Sequence, residues 1–426
     1  MSSTGTSPVW HPFTQHAIAP PPLTITHADG AHLWTLEEGV IIDAISSWWV
    51  ITHGHCHPQI MAAIKEQAGT LDQVIFAGFT HEPAEQLARE LIDLAPAGLT
   101  RVFYSDSGST SVEVALKMAL GHFHNLGDKR TRVLALEHAY HGDTIGTMAP
   151  GARGVFNDAY APLLYDVTRI PFPAANNEQA TFDAIDEACR KRDVAALIVE
   201  PLILGAGGML IYAPRVLAEM ARIARHYGTL LIADEVMTGW GRTGTLFACE
   251  QAAVSPDILC TAKGLTGGAI PLAATLAREG IFASHYSQDR TKTFFHSSSF
   301  TANPVACAAA LANTKIWRHE PVLERIAKLA EKQQRHLNAI GVDNRFSNIR
   351  QIGTIAALDI TVTDGGYMAS IGPRLQRHFL AHGVLLRPLG NTVYVMPPYC
   401  ISSDDLDHVY SSILSGEQLV RMEAGQ

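Results

Sequence analysis

The sequence predicts an α/β protein: a large domain with a mostly parallel central sheet sandwiched by helices, and a smaller α+β domain drawing on both ends of the chain. Three observations carry this. Strand-like and helical patterns alternate from about residue 57 to residue 310. Within that stretch, the apolar runs 195–200 (AALIVE) and 230–235 (LLIADE) flank a segment whose apolar residues Val216, Leu217, Met220, Ile223 and Ala224 recur at helical spacing. Such a strand–helix–strand unit closes as a right-handed parallel connection. Finally, 426 residues, 47% of them hydrophobic, suffice for a large core and are too many for one small domain.

In chain order, the opening segment to about Pro22 is rich in Pro, Ser and Thr and reads as extended. Short strands follow at 23–25, 32–34 and 40–42, around a turn at Glu37-Glu38-Gly39. They lack a core of their own, so residues 1–56 are expected to join the small domain. Residues 57–310 form the large domain. After Pro304 a long helical stretch is expected over 305–340, then strands at 352–360, 384–387 and 392–396, which places the rest of the small domain at 311–426.

A net charge of −9 with no cluster of Lys and Arg argues against a nucleic-acid partner. No run reaches the roughly 20 apolar residues of a membrane span. The first ten residues lack a charged region followed by an apolar core, so no secretory signal is expected. Six scattered cysteines without a C-x-x-C pair read as reduced thiols, and the expectation is a cytoplasmic protein.

Three pieces carry chemistry. Strand-like residues 101–104 feed the loop Ser105-Asp106-Ser107-Gly108-Ser109-Thr110, which opens a helix; Thr110 and Glu113 fit a capping box. Free N–H groups and the positive dipole end at such a start suit a phosphate, although an ordinary capped helix explains the same pattern. Asp234 ends an apolar strand, where it either pairs with a buried cation or marks the exit to solvent. Lys263 follows the apolar run 258–262 and precedes a glycine-rich turn; a desolvated lysine there becomes a Schiff-base nucleophile, whereas most lysines are simply solvated. Phosphate cradle, carboxylate and amine together match the three groups of pyridoxal phosphate, and Tyr140 offers a ring to stack on it. A rival signal, His53-Gly54-His55-Cys56-His57, has alternating histidines, but Gly54 and Pro58 mark a loop, and a structural turn is preferred over a metal site.

Over nearly its whole length the chain resembles the class III aminotransferases of the fold-type I pyridoxal-phosphate family. The motifs that carry this are DSGSTSVEVALKMA, AYHGDTIG, IVEPLILGAGGM, LIADEVMTGWGRTGTLFACE, PDILCTAKGLTGG and FTANPVACAAA. The resemblance implies pyridoxal 5'-phosphate as cofactor, a Schiff base at Lys263, Asp234 on the pyridine nitrogen, Val236 and Tyr140 on the two ring faces, and Gly108 and Ser109 on the phosphate. It also implies a homodimer with shared active sites, in which Ser299 of the neighbouring subunit reaches the phosphate. Trp10–Thr14, Ser46–Trp49, Arg387-Pro388 and the run 394–399 are similar to the biotin-pathway branch. That branch implies 8-amino-7-oxononanoate as acceptor and S-adenosylmethionine as donor. Arg387 would bind the acceptor's carboxylate; Phe13, Trp48 and Tyr140 would line its chain, with Asp143 and Arg242 nearby. The chain departs from several relatives at Ser297-Ser298-Ser299 and at Phe13, which leaves the donor open. An ω-amino acid or diamine transaminase is the alternative, because the motifs around Lys263 serve both.

Overall fold

The computed structural model describes residues 7–416; the first six residues of the opening segment and the last ten of the tail lie outside the described residues. Seven strands form the central sheet, in the spatial order Leu99–Ser105, Ala273–Arg278, Ile258–Thr261, Leu230–Asp234, Val194–Val199, Arg132–Leu136, Thr168–Ile170. The last five pair in parallel; Ala273–Arg278 runs antiparallel to both its neighbours. Val194–Val199 is buried at every position, as a parallel strand covered on both faces must be.

Helices supply that cover. Pro214–Tyr227 begins with Pro at its first turn, where no N–H is needed, and ends at Gly228, whose φ of 70° suits a residue without Cβ. It buries Val216, Leu217, Met220, Ala221, Ile223 and Ala224. Register then fixes where chemistry emerges. Ala233 lies beside Val199 and Asp234 beside Cys260, so Glu200, Asp234 and the segment after Thr261 leave the sheet at one edge. Open parallel sheets bind ligands at that carboxyl edge.

Both ends of the chain share a core. Ile25–Asp29, His32–Thr35 and Gly39–Asp43 form an antiparallel meander, and Val384–Leu385 adds to it in parallel beside Ile42 and Asp43. Buried Ile42, Ile45 and Trp49 pack in one cluster with Phe379, Val393, Met396 and Tyr410.

Three local expectations need correction. The helix over 305–340 is two helices, Pro304–His319 and Val322–Ile340. Pro321 disfavours helical geometry at Glu320, which is extended (φ −110°, ψ 152°). The strand over 352–360 is the second arm of a hairpin, Phe346–Ile352 with Ile355–Ile360, turning at Gly353-Thr354. Its first arm carries Ser347, Asn348, Arg350 and Gln351 at a partly exposed edge, so it lacks an apolar pattern. The helix after Ser105 starts at Gly108, and the capping box belongs to Ser107 and Thr110 instead of Thr110 and Glu113. The Ser107 hydroxyl accepts from the Thr110 N–H at 3.2 Å, and the Thr110 hydroxyl accepts from the Ser107 N–H at 2.9 Å. Among the described residues no helix is long and apolar enough to cross a membrane.

Candidate active site

A cavity of about 660 Å³ opens at the carboxyl edge of the central sheet. Gly108, Ser109, Tyr140, Asp234, Val236 and Lys263 line it on the sheet side; Phe13, Trp48 and Arg387 line it on the side built from the chain ends. Nine of the ten site residues expected from the sequence therefore meet in one space.

Lys263 leaves the sheet after Ile258–Thr261 in a left-handed backbone conformation, φ 44°. For a residue with a Cβ this costs roughly 1–2 kcal/mol, and such strain gathers at functional sites. Among the described residues its amine has no hydrogen-bond or ion-pair partner; it sits 4.6 Å from the ring centre of Trp49. Burial pushes the amine down to about 8, although the charges of Asp234 and Glu200 pull the other way. The free base is the reactive form, and it accumulates as pH rises through that value. Amine-selective labelling of the cofactor-free protein, read at the peptide containing Lys263, is expected to rise with a midpoint near pH 8. A midpoint at an ordinary lysine value of about 10.4 would contradict the burial argument.

Asp234 is held from two sides. Its Oδ2 lies 2.7 Å from His141 Nδ1, and its Oδ1 accepts from the Val236 N–H at 3.2 Å. His141 is buried, and among the described residues its Nε2 has no partner. Glu200 accepts from the N–H groups of Tyr140 and Gly205, each at 3.0 Å, and so ties the Tyr140 loop to the end of its strand. Burial pushes the Glu200 carboxyl up to about 7. Tyr140 is raised by burial, with Asp143 next in effect.

The helix start at Gly108 faces the same space. Gly108 and Ser109 occupy its first turn, where N–H groups have no intrahelical acceptor. A Cβ on Gly108 would lie 2.6 Å from Val236 Cγ1, so glycine there lets the loop approach Val236. Ser109 Oγ accepts from the Asp143 N–H at 3.1 Å, linking this turn to the Tyr140 loop.

Across the cavity, Ser46, Ser47 and Trp49 all have positive φ. Asp43 stabilises this kink by accepting from the N–H groups of Ile45 at 3.2 Å and Ser47 at 2.6 Å. The kink separates the two tryptophans. Trp49 turns into the core and donates to the Tyr394 hydroxyl at 3.0 Å. Trp48 stays exposed at the mouth, with the Arg387 guanidinium 5.3 Å from its ring centre and Phe13 at 5.5 Å.

Two residues named with the site sit elsewhere. Arg242 does not line the cavity; it is buried and donates to the carbonyls of Ile51 at 2.8 Å, Pro397 at 3.0 Å and Trp49 at 3.4 Å. Its guanidinium thus holds the Trp48-Trp49 loop from behind. Arg242→Ala is expected to lower unfolding stability by about 3 kcal/mol or more, since it strands several buried acceptors; a denaturation midpoint like that of wild type would refute this role. Ser299 also lies outside its own chain's cavity. Its carbonyl accepts from Gln73 Nε2 at 2.7 Å, while neighbouring Ser298 Oγ reaches Asp106 at 2.6 Å. The histidine-rich loop pairs His55 with Asp43 at 2.8 Å and His53 with Asn313 at 2.9 Å. The carboxylate that adjoins this loop comes from twelve residues upstream.

Sequence reasoning missed His141, Phe156 and Tyr367, and gave no role to Glu200, the last residue of the run 195–200. His141 adjoins Tyr140 and carried that much signal. Phe156 and Tyr367 stand in irregular segments that give none.

The family model for aminotransferase class-III matches residues 13–415. The chain is 46% identical over 413 residues to the adenosylmethionine-8-amino-7-oxononanoate aminotransferase of Synechococcus elongatus, spanning 95% of this chain and 97% of the relative. It is 39% identical over 432 residues to the protein of the same name from Nitratidesulfovibrio vulgaris, spanning 95% and 79%. The crystal structure of the Methanocaldococcus jannaschii protein of that name has a TM-score of 0.90 at 31% identity, covering 96% of this chain and 97% of that one. An amine transaminase from an uncultivated Pseudomonas species, solved in its PLP-bound form, also scores 0.90, at 30% identity and covering 97% and 99%. Fold, cavity and whole-length similarity agree, and the chain belongs to the class-III aminotransferase family.

Proposed function

We propose that this chain is a pyridoxal-phosphate aminotransferase that converts 8-amino-7-oxononanoate to 7,8-diaminononanoate in biotin synthesis, with S-adenosylmethionine as amino donor. One observation carries the reading: a single cavity holds the unpaired amine of Lys263 toward the sheet and the guanidinium of Arg387 at its aromatic mouth. The names of the relatives supply the substrates.

The residues fit the cofactor. Glycine at 108 leaves room beside Val236 where a Cβ would clash, and the first-turn N–H groups of 108 and 109 are free for a phosphate. Asp234 would take the ring nitrogen, with His141 fixing its orientation. Val236 and Tyr140 would take the two ring faces, and Lys263 would hold the aldehyde carbon. When bound, the cofactor supplies an electrophilic aldehyde and an electron-withdrawing ring.

The chain's own groups do the rest. The Lys263 amine, once free, takes the proton from the carbon bearing the amino group, and its lowered affinity for protons suits a general base near neutral pH. Asp234 keeps a positive charge on the ring nitrogen favourable. Arg387 grips the acceptor's carboxylate, while Phe13, Trp48 and Tyr140 enclose its chain and exclude water. Two half-reactions sharing this one site imply ping-pong kinetics. The reading includes a homodimer working in the cytoplasm, in which Ser299 of the neighbouring subunit reaches the phosphate. Exposed Ile75, Phe79, Phe295 and Phe300 support such a contact.

Purified protein supplied with the cofactor, 8-amino-7-oxononanoate and S-adenosylmethionine is expected to yield 7,8-diaminononanoate, detected by mass. Absence of that product, alongside turnover of simple ω-amino acids or diamines, would replace this reading with the alternative.

A further inference from the structure

Aromatic side chains ring the mouth of the cavity. Four aromatic rings form a connected arc there: Trp48 meets Phe13 at 5.5 Å, Phe13 meets Phe156 at 6.1 Å, and Phe156 meets Tyr367 at 4.5 Å. Arg387 lies at one end of this arc, over Trp48, and lines the same cavity as Tyr367. Among the described residues the Arg387 guanidinium has no carboxylate partner; its one hydrogen bond goes to the Phe13 carbonyl at 3.3 Å. A cation set among aromatic rings without an acid is a place for a ligand's anion.

A carboxylate has two oxygens and room for several donors. Phe13 and Phe156 have none to offer. The Tyr367 hydroxyl has no hydrogen-bond partner among the described residues, and burial raises it above the ordinary phenol value, with the Arg387 charge acting the other way, so it stays protonated and able to donate. Nearby Tyr394 is already engaged, since its hydroxyl accepts from Trp49.

We propose that Tyr367 is a second contact for the acceptor's distal carboxylate, its hydroxyl donating to the same group that Arg387 grips. The inference rests on the reading of the site given above, and it makes the 363–370 loop a determinant of acceptor choice. A hydrogen bond to a charged group is stronger than one between neutral groups, so the effect falls on binding of the acid and spares the chemistry at Lys263.

The test is Tyr367→Phe, which keeps the ring against Phe156 and removes only the hydroxyl. On 8-amino-7-oxononanoate its KM is expected to rise roughly 10-fold, with kcat changed by less than about two-fold. On the same amino-ketone ending in a methyl group instead of the carboxylate, variant and wild type should match. An unchanged KM on the acid, or an equal loss on both compounds, would overturn the assignment. Arg387→Gln, run in parallel, separates the two levels. If that variant loses the acid while Tyr367→Phe keeps it, only the role of Tyr367 falls. If Arg387→Gln treats both compounds as wild type does, the carboxylate subsite itself is wrong, and Tyr367 goes with it.

Discussion

Lys263→Ala is expected to reduce turnover by about 10⁴-fold or more and to remove the visible absorbance that a cofactor condensed with lysine gives the protein. The size follows from losing two tasks at once. Among the described residues no other amine lines the cavity, so none of them could replace Lys263 in holding the aldehyde carbon or in moving the proton. Glu200 and Asp234 are the closest carboxylates by their effect on Lys263, but both are committed to backbone and histidine partners. The variant should remain folded, because the Lys263 side chain makes no hydrogen bond or ion pair among the described residues and alanine meets the same backbone conformation with a Cβ of its own. A yellow, active Lys263→Ala protein would end the assignment of the site.

Asp234→Asn comes second. An amide of the same shape keeps the volume but removes the negative charge that, in the proposed site, would face the ring nitrogen. It also forces a choice between accepting from His141 and accepting from the Val236 N–H, which the carboxylate serves together. Loss of a preorganised electrostatic partner of this kind lowers kcat by about 10²–10³-fold. Weaker cofactor retention on dialysis should accompany it. Activity within about 10-fold of wild type would show that the ring nitrogen needs no charged partner here, against the usual cost of removing such a group.

The pieces legible in the sequence are those with a local signature. The helix 214–227 and the strands on either side of it follow from apolar periodicity, and the loop before Gly108 from its small residues. Three errors also had local causes. The break at Pro321 was overlooked because apolar spacing resumes immediately after it, and the strand Phe346–Ile352 escaped because its polar residues sit at a partly exposed edge. The capping box slipped by three residues because both Ser107 and Thr110 are competent caps.

Sequence by itself determined the periods, the turn chemistry and which residue types follow each strand: an acid after one apolar run, a lysine after another, a glycine–serine loop at a helix start. Only the tertiary structure decided which of these meet. Parallel register brings Glu200, Asp234 and the start of the Lys263 turn to one sheet edge, and no local preference encodes that alignment. Pairing of Gly39–Asp43 with Val384–Leu385 sets Trp48 and Phe13 opposite Arg387, residues more than 300 positions apart. Burial, which pulls the Lys263 amine down to about 8 and pushes the Glu200 carboxyl up to about 7, belongs to the assembled core, because a group's solvation depends on everything packed around it.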